Sequence, residues 1–154
     1  MSAGELVPAT AGDPLADPFR PVHGTGPLSP FDIDRVERVI RYAREVSGLE
    51  FSVFIGPAEP DSRAYAVRLH GALPDPDHSV LVLVDPGARV LEIVTGSVAA
   101  RSLGDAECRL AAATMQTNFV AHDLAGGLTA GIQQLANAAY HAPTLHLSDT
   151  HQPR

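Results

Sequence analysis

Apolar positions along the chain follow two different periods, and each period predicts an element. In "LSPFDIDRVERVIRYAREVSG", Ile33, Val36, Val39, Ile40, Ala43 and Val46 recur at the spacing of one buried helix face. The start of this helix is signalled by Ser29 as a cap, Pro30 at the first helical position and Asp32 completing a capping-box pattern. Leu28 and Ile33 have the spacing of a hydrophobic staple, and Gly48 ends the helix. Glu37, Arg41 and Glu45 lie four apart, which predicts ion-paired arginines on a solvated outer face. "EFSVFIGP" then sets Phe51, Val53 and Ile55 in alternation and breaks at Gly56-Pro57, the pattern of a strand entering a loop. "DSRAYAVRLHGAL" predicts a crossover helix capped by Asp61, with Tyr65, Leu69, Ala72 and Leu73 on one side.

The most apolar run is "DHSVLVLVDPGARVLEIVTG". Residues 80–84 are continuous branched aliphatics, as in a strand covered on both faces, and residues 89–95 form a second strand. Pro86-Gly87 has type II turn chemistry, so these two strands make an antiparallel hairpin. The helical crossover before Val80 makes the first two strands parallel. Five buried aliphatic side chains at about 1.5–3 kcal/mol each rival a typical domain's whole net stability. The run therefore holds the fold, and chemistry is expected at the strand ends.

Beyond Gly96 an alanine-rich stretch divides near residues 121–123 into two helices. Ala106, Leu110, Ala113 and Thr117 share one face of the first, and Leu124, Leu128, Ile132 and Leu135 share one face of the second. Gly127 and Gly131 lie four apart and predict a close backbone approach. The fold class expected is α/β: a small mixed sheet, built from a parallel crossover and an antiparallel hairpin, packed by helices. One domain is expected over residues 28–141. The proline-rich segment 1–27 and the segment 142–154 lack apolar periodicity and are expected to be disordered tails.

Composition narrows the chemistry. The 11 basic residues are all arginine, which excludes a lysine Schiff base, and the net charge of −7 repels phosphate backbones. No basic stripe with interleaved aromatics occurs, so nucleic acid is not an expected partner. The single Cys108 excludes an intramolecular disulfide and a multi-cysteine zinc site. No basic segment precedes an apolar one at the N-terminus, and no run is long enough to span a membrane. A cytoplasmic location without direct membrane insertion is expected. No phosphate-cradling loop and no Ser/His/Asp arrangement appears.

The order strand, helix, strand, turn, strand, glycine, two helices, with "VLVLVDPGARVLEIVTG" and "SLGDAE", resembles the TPM domain over residues 51–140. The whole chain also looks like a group of small actinobacterial proteins of unknown function. Residues 80–84, Asp85-Pro86, the second hairpin strand, Gly96, Leu103, Asp105 and Ala125-Gly126-Gly127-Leu128 match the TPM pattern. The resemblance implies an α/β fold linked to acid phosphatase activity, metal binding or assembly of protein complexes. The chain departs from the pattern at Asp77-His78-Ser79, where an asparagine-asparagine-glycine-like sequence is expected, and at Ser97, Val98 and Ala99, which replace a second glycine, leucine and glutamate.

The hairpin brings the start of one strand beside the end of the next, which would gather Asp75, Asp77 and His78 near Thr95, Gly96 and Ser97. Carboxylates, an imidazole and loop carbonyls are ligands for a divalent metal ion, and the aspartates are equally turn formers. A second acidic group, Glu59, Asp61 and Asp85 with Arg89, is expected at the opposite end of the sheet. His141, His146 and His151 recur near the C-terminus. Three functions follow: a non-catalytic module that binds a protein partner or assists complex assembly, a metal-dependent phosphatase of TPM type, and a metal-binding regulatory module. Oligomeric state is left open by the sequence.

Overall fold

The apolar run at residues 80–84 becomes an inner strand of the sheet in the computed structural model, which describes residues 22–23 and 28–151, with side chains over 28–141. In chain order the elements are β1 (Val22–His23), α1 (Pro30–Ser47), β2 (Glu50–Ile55), α2 (Ser62–Gly71), β3 (Ser79–Asp85), β4 (Val90–Thr95), α3 (Asp105–Val120) and α4 (Leu124–His151). Short 3-10 turns at Pro76–His78 and Ala99–Arg101 flank the hairpin. The sheet order is β1-β2-β3-β4. Strands β1, β2 and β3 are parallel, and β4 pairs antiparallel with β3, placing Val80 opposite Thr95 and Asp85 opposite Val90.

All seven residues of β3 are buried, because helices cover both faces. Val80, Val82 and Val84 join Phe51, Val53 and Ile55 beneath α1, α3 and α4, while Leu81, Leu83 and Phe54 meet Ala66 and Leu69 of α2 and Leu73 just beyond it. Helix α4 lies between α1 and α3 and packs on both. Glycine makes this possible: a Cβ at Gly127 would stand 2.6 Å from the Phe119 ring and 3.0 Å from Met115 O, so α3 and α4 approach at backbone distance. Helix α1 starts as expected, with Ser29 Oγ accepting from Asp32 N (3.1 Å). The reciprocal half of the box is replaced, since the Asp32 carboxylate accepts from Arg35 (3.4 Å). Gly48 ends the helix in the left-handed region, φ 77°.

Several expectations are corrected. Among the described residues the ion pairs of α1 are Arg35–Asp32, Arg38–Asp34 and Arg44–Glu50, and none runs through Arg41. The hairpin turn is not type II: Gly87 does not take a positive φ, and Arg89 does, at 59°. A four-residue loop closed by Arg89 N donating to Pro86 O (3.3 Å) needs its left-handed residue at the end, just before β4. On α2 the inner face runs through Ala66, Leu69 and His70, and Ala72 is exposed. The inner face of α3 is turned from the expected one: Ala111 and Met115 are buried and Ala106, Leu110, Ala113 and Thr117 are exposed. Alanine on every side of α3 leaves its apolar stripe poorly defined, and the notch at Gly127 and Gly131 selects the face that carries Met115 and Phe119.

Two residues of the segment expected to be an N-terminal tail form β1, because an edge strand pairs through backbone groups and needs no apolar period. The rest of that tail, residues 1–21 and 24–27, lies outside the described residues. The segment expected to be a C-terminal tail is helical to His151. Pro143 lacks one N–H donor but leaves the ladder on either side available. Residues 152–154 lie outside the described residues.

Candidate functional site

The loop that enters β3 lies against the loop that leaves β4, as the hairpin requires. Gly96 N donates to Ser79 O (2.9 Å) and Val98 N donates to Asp77 O (2.9 Å), so the two loops are tied backbone to backbone. A Cβ on Gly96 would stand 2.6 Å from Asp77 O, which is why glycine occupies this corner. His78 Nδ1 lies 3.1 Å from the Asp75 carboxylate, and both side chains are about half exposed. Ser79 Oγ donates to Asp75 O (2.6 Å), and His78 N donates to the same oxygen (3.2 Å). From beneath, buried His70 reaches Ser79 O through Nε2 (3.0 Å). A carbonyl only accepts, so Nε2 of His70 carries the proton.

Of the three residues expected to bind an ion, Asp75 and His78 come together side chain to side chain, and exposed Asp77 contributes its carbonyl to the neighbouring loop. Among the described residues, no group of three or more His, Cys, Asp or Glu side chains is placed to hold a metal ion. The loop carbonyls of Asp75 and Asp77 already accept internal hydrogen bonds. A hard cation requires six to eight oxygen ligands, roughly, or an octahedron completed by water, and this corner offers one carboxylate–imidazole pair with Asp77 beside it.

The opposite end of the sheet is occupied by internal bonds. Asp85 is 9% exposed, and its carboxylate accepts from Ala58 N (2.9 Å) and Ala88 N (3.1 Å). One side chain thus ties the loop after β2 to the hairpin turn. Asp61 caps α2 through Ala64 N (3.1 Å), and Glu59 pairs with Arg68 (2.5 Å). Arg68 also lies over the Tyr65 ring at 5.5 Å. Burial raises the Tyr65 hydroxyl above its ordinary value, Glu59 adds to the rise, and Arg68 opposes it. The sequence placed Asp85 in an acidic group at this end of the sheet, while its reach across to Ala58 had no local signal.

Cys108 is half-buried, with its sulfur 4.0 Å from Leu103 O. Burial, then Asp105 and Glu107, push its thiol above the ordinary cysteine range against the pull of Arg63. That is the opposite of what activates a thiolate nucleophile. Arg63 itself spans the β4 edge, donating to Ile93 O (2.7 Å) beside Glu92, which also accepts from Ser62 Oγ (2.7 Å). His122 joins α3 to α4 with φ 63°, and His141 sits edge-on to Tyr140. The side chains of His146 and His151 lie outside the described residues.

A family model for a domain of unknown function, DUF5130, matches residues 20–136. The chain belongs to the DUF5130 family. The match begins just before β1 and ends in α4, so it takes in every strand and both loop clusters. An uncharacterised protein of Mycobacterium tuberculosis is 26% identical over 115 residues, spanning 75% of this chain and 68% of its own. Among solved structures, the N-terminal domain of a P. gingivalis protein superposes with a TM-score of 0.68 at 21% identity, covering 86% of this chain and 88% of that one. A protein from the psychrophile Bizionia argentinensis gives 0.67 at 19% identity, with 73% and 81% covered. The N-terminal domain of a Corynebacterium glutamicum protein gives 0.61 at 18%, with 75% and 76% covered. At these identities the likeness establishes the fold of this DUF5130 chain. Among its described residues no helix is long and apolar enough to cross a membrane.

Proposed function

We propose that this DUF5130 chain is a non-catalytic, TPM-like α/β module of the cytoplasm that binds a protein partner or assists assembly of a complex. The observation that carries this reading is the engagement of polar groups at both ends of the sheet. Asp85, Asp61 and Glu59 are held by backbone amides or by Arg68, the Asp75 carbonyl by Ser79 and His78 of its own turn, and the Asp77 carbonyl by Val98 of the neighbouring loop. An active site holds groups in reserve for a substrate, and a reactive thiolate is disfavoured at Cys108. Departures from the TPM pattern at Asp77-His78-Ser79 and at Ser97 point the same way. With phosphate monoesters and added magnesium, manganese, calcium or zinc, the full chain is expected to show no saturable hydrolysis above its Asp77→Ala variant. Saturable turnover abolished by Asp77→Ala and by chelator would replace this reading with a phosphatase. Affinity capture from the native host, with and without residues 1–19, should enrich a partner over controls; enrichment of nothing would count against partner binding.

The Asp75–His78 pair supports a second reading, a metal-binding regulatory module without turnover, with Asp77 as a third ligand. An ion at 100 times its dissociation constant would stabilise the fold by about 2.7 kcal/mol. A thermal melt of metal-stripped protein with each ion reads this directly. Equal shifts in wild type and in a variant with Asp75, Asp77 and His78 all replaced by Ala would exclude that site.

A further inference from the structure

Ala106, Leu110, Ala113, Thr117 and Val120 of α3 follow one another at steps of four, three, four and three, the seam spacing of helices packed side by side. All five are exposed, Leu110 at 62% and Val120 at 77%. The opposite face of α3, through Cys108, Ala111 and Met115, packs on the core. Thr117 donates its hydroxyl to Ala113 O (3.0 Å), so the one polar group in the seam is satisfied within its own helix. No charged residue interrupts it. A helix with an inner face in the core and an uncharged seam outside is built to pack twice.

We infer that α3 packs antiparallel against α3 of a second copy of this chain, about a two-fold axis at Ala113. This goes beyond the partner-binding reading and stands without it. The axis brings Val120 opposite Ala106 of the second copy and Ala113 opposite Ala113, and sets Leu110 within one residue's rise of its Thr117, so each large apolar group meets a small one. Such self-complementarity is what an isologous interface requires. Charge selects the direction. A parallel pair would gather Asp105 and Glu107 of both copies at one end. The antiparallel pair parts them, sets each acidic N-terminus near exposed His122 of the other copy, and opposes the helix dipoles. A seam of four turns covers less than the roughly 800 Å² per partner of a stable interface. The dimer is therefore weak and depends on concentration.

Sedimentation equilibrium of the full chain from micromolar to millimolar concentration tests this. A reversible monomer–dimer equilibrium is expected, with Leu110→Glu and Val120→Glu each weakening it by about tenfold or more. Both positions are exposed, and thermal melts of the variants confirm folding. Cysteine pairing in a Cys108→Ser background fixes the geometry independently of those variants. Ala113→Cys should form an intermolecular disulfide alone, whereas Ala106→Cys should form one only when mixed with Val120→Cys. A chain that stays monomeric throughout, a dimer indifferent to Leu110→Glu, or self-linking of Ala106→Cys would each overturn the inference. So would a dimer that appears only after removal of residues 1–19, because the chain's own N-terminal segment would then be the seam's occupant.

Discussion

At Gly127 one carbon atom decides how near two helices lie. Alanine there improves helix propensity by about 1 kcal/mol, but its Cβ would stand 2.6 Å from the Phe119 ring and 3.0 Å from a backbone oxygen. Overpacking of that kind costs about 1–3 kcal/mol, so Gly127→Ala is expected to destabilise on balance. At Gly131 a Cβ would stand 2.5 Å from Cγ of fully buried Met115 and closer still to its Cε, so Gly131→Ala should cost at least as much. Denaturant melts of the two variants give the order directly. Asp85 shows the same dependence on distant atoms. Replacing it by Ala strands the Ala58 and Ala88 amides, at about 1–3 kcal/mol for each donor that water does not reach. Since both amides lie in partly exposed loops, the lower end of that range is expected for Asp85→Ala, with the loop after β2 losing hydrogen-exchange protection first.

Elements of this fold differ in how far local signals specify them. Helix α1 is marked at both ends, by Ser29 and Gly48, and the structure places its ends there. Its cap is a single hydrogen bond, and Ser29→Ala should cost about 1 kcal/mol, read as a lower melting temperature with an unchanged circular-dichroism spectrum. Strand β3 is specified by composition, since only a strand covered on both faces has use for an unbroken aliphatic run. In α3 local signals run out. Its residues supply two stripes, one through Ala111 and Met115 and one through Ala106, Leu110 and Ala113, and the sequence pattern favoured the second.

At the scale of the whole molecule, Cys108 and Tyr65 are expected to make stability fall at alkaline pH. Both groups are raised in the folded chain, mainly by burial, so the native state holds their protons to higher pH than the unfolded state does. Their contribution is complete below the unfolded values and is lost as pH rises through the folded ones. Stability is therefore expected to fall across the alkaline range, and less steeply in Cys108→Ala once its neutral-pH offset is subtracted. A wild-type profile that is flat or rising there would contradict the burial of these groups. The candidate ion site belongs to this scale as well. The hairpin register brought the loop of Asp75, Asp77 and His78 against Gly96, as the antiparallel pairing implied. Of its three side chains those of Asp75 and His78 meet, and among the described residues no group of three is placed to hold an ion.

Taken alone, the sequence determined the mixed α/β sheet, the bounds of α1, the buried β3 and the close contact at Gly127 and Gly131, because short-range caps, periods and glycines carry those choices. Only the tertiary structure decided which side of α3 faces inward, that Val22–His23 extends the sheet, and that Asp85 joins two loops. Each of those depends on atoms far away in the chain. An alanine-rich helix has no strongly preferred face, an edge strand pairs through backbone common to every residue, and a carboxylate accepts whichever amide the fold brings to it.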